Sequence, residues 1–132
     1  MDKVVDVIIS ELATVFIYLL GGWDVALICL IIAIVLDYIS GLIKAYTNKE
    51  LSSKIGFKGI LKKIGILLIV MLSVLVDRVT GNTGAIRTLV IYYFVANEGL
   101  SILENLGQAG IPIPKGIKKA LKILKDQNND LL

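Results

Sequence analysis

The stretch VALICLIIAIVLDYISGLI, residues 25–43, opens with twelve uncharged apolar residues from Val25 to Leu36 and then presents Asp37. A membrane-spanning helix needs about 20 mostly apolar residues. An ionised carboxylate near a bilayer centre costs roughly 2.5–3.5 kcal/mol on insertion scales, so it marks a protein-lined interface or a water-filled path. The pattern recurs where Asn97 and Glu98 interrupt a second apolar run that begins at Leu89. Two candidate spans thus carry polar groups at depth, which points to helices acting on one another within a membrane.

Composition agrees. The chain of 132 residues is 56% hydrophobic with a mean hydropathy of +0.82, against about 45–50% apolar content in soluble domains. A soluble bundle this short has little interior in which to hide runs such as Val25 to Leu36 or Ile64 to Val76. The single Cys29 and the absence of histidine exclude a disulfide framework within one chain and the common zinc spacings. Cys29 reads as a packing residue. No metal site or cofactor is expected.

Residues 1–24 are expected to belong to the mature protein rather than to a secretory signal, because Lys3 stands against Asp2, Asp6, Glu11 and Asp24 and a signal needs a basic start. On a helical wheel Lys3, Asp6, Ser10, Glu11 and Thr14 face one side, with Val5, Ile8, Leu12, Val15, Phe16 and Leu19 on the other. This amphipathic helix either lies in the interface, with Trp23 as anchor, or crosses as a fourth span with its polar side on a lumen.

The expected fold class is therefore an all-α integral membrane protein. It has three transmembrane helices, the N-terminal amphipathic helix and a basic cytoplasmic C-terminal helix. The expected spans are about 24–45, 60–79 and 84–105. The expected regions are 1–22, a transmembrane unit over 23–106, and a basic tail over 107–132. Lys44, Lys49, Lys54, Lys58, Lys62 and Lys63 crowd the first connection with only Glu50 opposing them, whereas the second has Arg78 and Arg87. Positively charged loops stay inside, so the first connection and the C-terminus are read as cytoplasmic and the turn Gly81-Asn82-Thr83-Gly84 as external.

Ala26, Ala33, Asp37, Ser40, Gly41 and Lys44 share a narrow sector of the first span, since spacings of seven, four, three, one and three return to one face. Small residues let helix backbones approach closely in lipid, so Ala26, Ala33, Ser40 and Gly41 are candidates for helix–helix packing. In the third span Arg87, Asn97, Glu98, Ser101, Glu104 and Asn105 fall within about 120° of the wheel. Such a helix cannot stand alone in lipid. Self-association around a pore lined or gated by Asp37, Asn97, Glu98 and Ser101 is the economical solution. The alternative is a compact chain in which Glu98 pairs with a cation such as Arg87 or Lys44.

Lys54, Lys58, Lys62 and Lys63 before the second span, and Lys115, Lys118, Lys119, Lys122 and Lys125 in the tail, fix topology and suit anionic headgroups at about 1 kcal/mol per cation. Pro112 and Pro114 end one helix and start another. Ile117, Ala120, Leu121 and Leu124 give that new helix an apolar stripe, expected to rest on the inner leaflet or on a neighbouring tail. Nucleic-acid binding is not expected, since stacking aromatics are absent near these lysines.

The string Asp37, Tyr38, Gly41, Leu42, Lys44, then Leu51, Ser52, Ser53, Lys54, Gly56, Lys58 and Gly59, resembles the toxin-secretion and phage-lysis holin family of Gram-positive bacteria and their phages. The run from Ala96 through Asn97, Glu98, Gly99, Leu100, Ser101, Ile102, Leu103 and Glu104 to Asn105 is similar to that family's signature, as is Ile111 to Pro114. The resemblance covers roughly residues 25–125. It implies a homo-oligomer in the bacterial cytoplasmic membrane that opens large lesions. Through these an endolysin reaches the peptidoglycan, or a large toxin leaves the cell, without implied direct binding.

No enzyme reading competes. The chain has no histidine, no phosphate-cradling glycine loop and no nucleophile beside a base. From other classes, a small cation or proton channel or transporter using Asp37 and Glu98 would pass ions but not folded protein. A membrane anchor for a partner would permeabilise nothing.

Overall fold

A computed structural model describes residues 2–131, with side-chain surroundings through Gln127. The last residue of the 107–132 tail lies outside the described residues. Five helices follow one another over the described residues: α1 (Asp2–Leu19), α2 (Val25–Thr47), α3 (Ser53–Val79), α4 (Ala85–Gln108) and α5 (Lys115–Leu131). The three in the middle are long and apolar enough to cross a membrane. At 1.5 Å per residue, their 23, 27 and 24 residues span roughly 34, 40 and 36 Å, against a hydrocarbon core of about 30 Å.

Local chemistry sets each start. Asp24 caps α2, its side chain accepting from the Leu27 amide at 3.0 Å, and Ser52 caps α3 by accepting from the Ile55 amide at 3.2 Å. The Ser52 cap starts α3 seven residues before the expected residue 60, so Lys54 to Lys63 belong to a helix and only 48–52 form the connection. The turn into α4 runs through Gly81 (φ +125°), Asn82 (φ +57°) and Gly84 (φ +77°), the left-handed conformations that glycine and asparagine tolerate.

Buried and half-buried positions in α2, α3 and α4 recur at alternating spacings of three and four. In α3 the seam is Gly56, Gly59, Lys63, Ile66, Val70, Ser73 and Asp77; in α4 it is Arg87, Ile91, Phe94, Glu98, Ser101 and Asn105. A seven-residue repeat keeps one face turned to a partner along a whole helix. α4 is the hub, packed against α2, α3 and α5, while α2 and α3 barely touch. Leu27, Leu30, Val70 and Ile91 are fully buried at the centre, joined by Leu20, Ile34, Ile66 and Val90. Close packing rather than water avoidance holds such a core in lipid. Outward, Ile32, Val35 and Leu36 of α2 and Leu68, Leu72 and Leu75 of α3 are exposed, an apolar belt suited to acyl chains and not to water.

α1 buries no residue. α5 seats Leu121 of its apolar stripe against Gly99 of its own chain, while Ile117, Ala120 and Leu124 stay exposed. It doubles back along α4 of its own chain. A Cβ on Gly99 would sit 3.1 Å from a Leu121 methyl, and one on Gly107 would sit 3.6 Å from Ile113. Two glycines on α4 thus provide the groove into which α5 and its approach fit.

Candidate functional site

Asp37 lies ten residues before Thr47 at the end of α2, Lys63 ten residues after Ser53 at the start of α3, and Glu98 ten residues before Gln108 at the end of α4. Because α3 runs opposite to its neighbours, all three lie at one level, about 15 Å inside the lysine-rich end of the bundle. There the Lys63 ammonium donates to Asp37 and to Glu98 Oε2, the latter at 2.6 Å. Asp37 and Glu98 are buried, at 8% and 3% exposure. Asn105, two turns further along α4, donates to Asp37 Oδ1 at 3.1 Å and to Ser40 Oγ at 3.0 Å.

One cation thus ties together two carboxylates from two other helices. Asp37 comes from the helix that α3 barely touches, so Lys63 is a main polar link between α2 and α3. An amine buried at this level can stay charged only beside acceptors, and two carboxylates supply them.

Glu98 is paired with a cation of its own chain, as in the compact alternative, but that cation is Lys63 rather than Arg87 or Lys44. This arrangement also moves Lys63, grouped in sequence with the headgroup lysines, into the interior, while Lys54, Lys58 and Lys62 stay exposed. The signal for Lys63 is present in the sequence: it sits seven residues before Val70 and fourteen before Asp77, on the buried seam, whereas the other three lysines fall off it. Asn97 and Ser101 line a cavity of about 660 Å³ beside the triad, together with Asn105. Ser40 is buried, and Gly41 lies where an added Cβ would stand 3.7 Å from Asn105. Ala26 and Ala33 are half-buried. Within one chain Asp37 and Glu98 face Lys63 rather than a lumen.

A second polar cluster closes the opposite end. Arg87, 9% exposed, donates through Nε to the Leu20 carbonyl at 2.7 Å. It donates through Nη2 to the Gly22 carbonyl at 3.2 Å, and through both terminal nitrogens to Asp24, at 2.7 and 3.1 Å. The hydrogen bond from Arg87 holds the Asp24 carboxyl below its ordinary value. Gly84 has no side chain with which to cap α4, and Asp77 of α3 serves instead, accepting from the Ile86 and Arg87 amides at 3.0 and 2.8 Å. Arg78 reaches the Tyr18 carbonyl at 3.0 Å and lies 4.1 Å from the centre of that ring. Wheel position alone groups Arg87 with the polar face of α4 and gives Asp77 no role.

Among the described residues no cluster of acidic, histidine or cysteine side chains could hold a metal ion.

Two polar layers bracketing an apolar one, in a bundle with an apolar exterior, define a small polytopic membrane protein. Residues 14–126 match the bacteriophage holin family model, and the chain belongs to that family. It is 44% identical to the uncharacterised 14.9 kDa protein of the nagH 3′ region of Clostridium perfringens, over 96% of this chain and 99% of that protein. It is 38% identical to an uncharacterised protein of Listeria monocytogenes, over 98% and 93%. It is 35% identical to the probable holin of Bacillus phage phi105, over 72% of this chain and 70% of that protein. No solved structure matches. Family membership thus points to a non-enzymatic membrane protein and supports a holin role.

Proposed function

We propose that this protein self-associates in the bacterial cytoplasmic membrane and opens lesions wide enough for a folded protein, an endolysin or a large toxin, to cross. The observation that carries this reading is the Asp37–Lys63–Glu98 triad, a charged layer buried among three helices, two of which, α2 and α3, present apolar belts outward. In a packed, closed assembly the triad is satisfied internally. When helices separate, water replaces the intramolecular partners, and the polar faces carrying Asp37, Asn97, Glu98 and Ser101 line the opening. The lysine-rich end, where α5 begins, faces the cytoplasm, as the charge asymmetry between connections supports.

Inducible expression in a bacterial host, with membrane potential and release of a folded cytoplasmic marker followed together, tests the reading. Simultaneous collapse of potential and release of the marker is expected. Collapse with the marker retained would instead make the triad part of a cation or proton pathway, and neither event would make the protein a membrane anchor.

A further inference from the structure

α2 and α3 both lean on α4 but barely touch each other, leaving the cavity of about 660 Å³ open between them at the lysine-rich end. Tyr38 forms part of its wall by lying on α3: a Cβ on Gly56 would stand 3.2 Å from the Tyr38 hydroxyl, and one on Gly59 would stand 3.4 Å from its ring. Lys44 and Lys58 line the outer part of the cavity and Lys62 stands close to the level of the triad, and among the described residues none of these three has an ion-pair partner. Ile66 and Phe94 make the deeper wall apolar, with Leu42 at the level of Lys58. Four lysines, counting Lys63, face the three carboxylates Asp37, Glu50 and Glu98. The cavity therefore carries one positive charge in excess, which one phosphodiester would neutralise.

We propose that this crevice is a binding site for a single anionic phospholipid, with the phosphate among Lys44, Lys58 and Lys62 and the glycerol and upper acyl carbons against Leu42 and Ile66. Depth supports a lipid over a free anion. α3 exceeds a bilayer core by about 10 Å, so Lys58, five residues from its start, sits at headgroup level while the apolar wall lies deeper. Basic pockets between membrane helices recognise headgroups in this way. The bound lipid would wedge α2 and α3 at the level of the triad, and the site does not depend on lesion formation.

Native mass spectrometry of the full-length protein in detergent, titrated with phosphatidylglycerol or phosphatidylcholine, tests this. One tightly retained phosphatidylglycerol per chain is expected, with phosphatidylcholine lost readily. Lys44→Gln/Lys58→Gln/Lys62→Gln should weaken phosphatidylglycerol binding about a hundredfold, at roughly fivefold per lysine. The corresponding triple arginine variant should retain it. Lys115→Gln/Lys118→Gln/Lys119→Gln/Lys122→Gln in the tail should leave it unchanged. Equal loss in the tail variant, no loss in the crevice variant, or displacement by millimolar inorganic phosphate would each overturn the assignment.

Discussion

The two polar layers of this bundle solve the same problem in opposite ways. At the turn-rich end Arg87 spreads its guanidinium over two backbone carbonyls and one carboxylate, and Asp24, its charged partner, has a half-exposed side chain. At the lysine-rich end one ammonium serves two buried carboxylates from two different helices. Removing Arg87 leaves its charged partner Asp24 with a half-exposed carboxylate that water can reach. Removing Lys63 leaves two carboxyl groups facing each other with no cation between them. The Arg87 layer is therefore a clamp and the Lys63 layer a poised contact, whose balance changes with a single charge.

The largest effect should come from Lys63→Met. Breaking a buried pair by deleting one partner costs about 3–5 kcal/mol, and here two partners are stranded. Denaturant unfolding in detergent should show that loss, with Lys63→Arg recovering most of it. Arg87→Met should cost less, about 1.5–3 kcal/mol for charge-assisted hydrogen bonds. Its effect should be confined to the α1–α2 connection, where amide hydrogen exchange over residues 20–25 should rise while the Lys63 layer stays protected. An equal loss in the two variants would erase the contrast. Asp77→Ala removes the borrowed cap of α4 and should cost about 1 kcal/mol, read as faster exchange at the Ile86 and Arg87 amides. The smallest change in stability should follow Gly99→Leu, which has no room beneath Leu121. It should lift α5 from α4, detected in a Cys29→Ser background as loss of a disulfide crosslink engineered between neighbouring positions of the two helices.

Much of this architecture was legible in the sequence. The three long helices, the Gly81–Gly84 turn and the depth of Asp37 and Glu98 follow from apolar run length, turn chemistry and wheel position. The cation between those carboxylates was harder to see, because Lys63 sits in a run of lysines whose obvious role is topological. Only its register with Val70 and Asp77 separates it from Lys62. The docking of α5 was not legible, because its apolar stripe would fit a leaflet, a neighbour or its own chain equally well. Leu121 over Gly99 is the stripe contact that docks it, and two glycines in a span are too common to signal it. The Asp77 cap joins residues on two helices across a turn, a pairing that periodicity within one helix does not reveal.

The proposal that the triad governs the step from closed assembly to open lesion is tested most directly by the onset of release of a folded cytoplasmic marker, at matched membrane protein levels, for Asp37→Asn and Glu98→Gln. Each leaves Lys63 balanced by one remaining carboxylate and removes a charge whose hydration favours the open state. Both should therefore insert normally and delay or abolish release. Onset and extent indistinguishable from the unmodified protein in both variants would contradict the account and leave the triad a packing element alone.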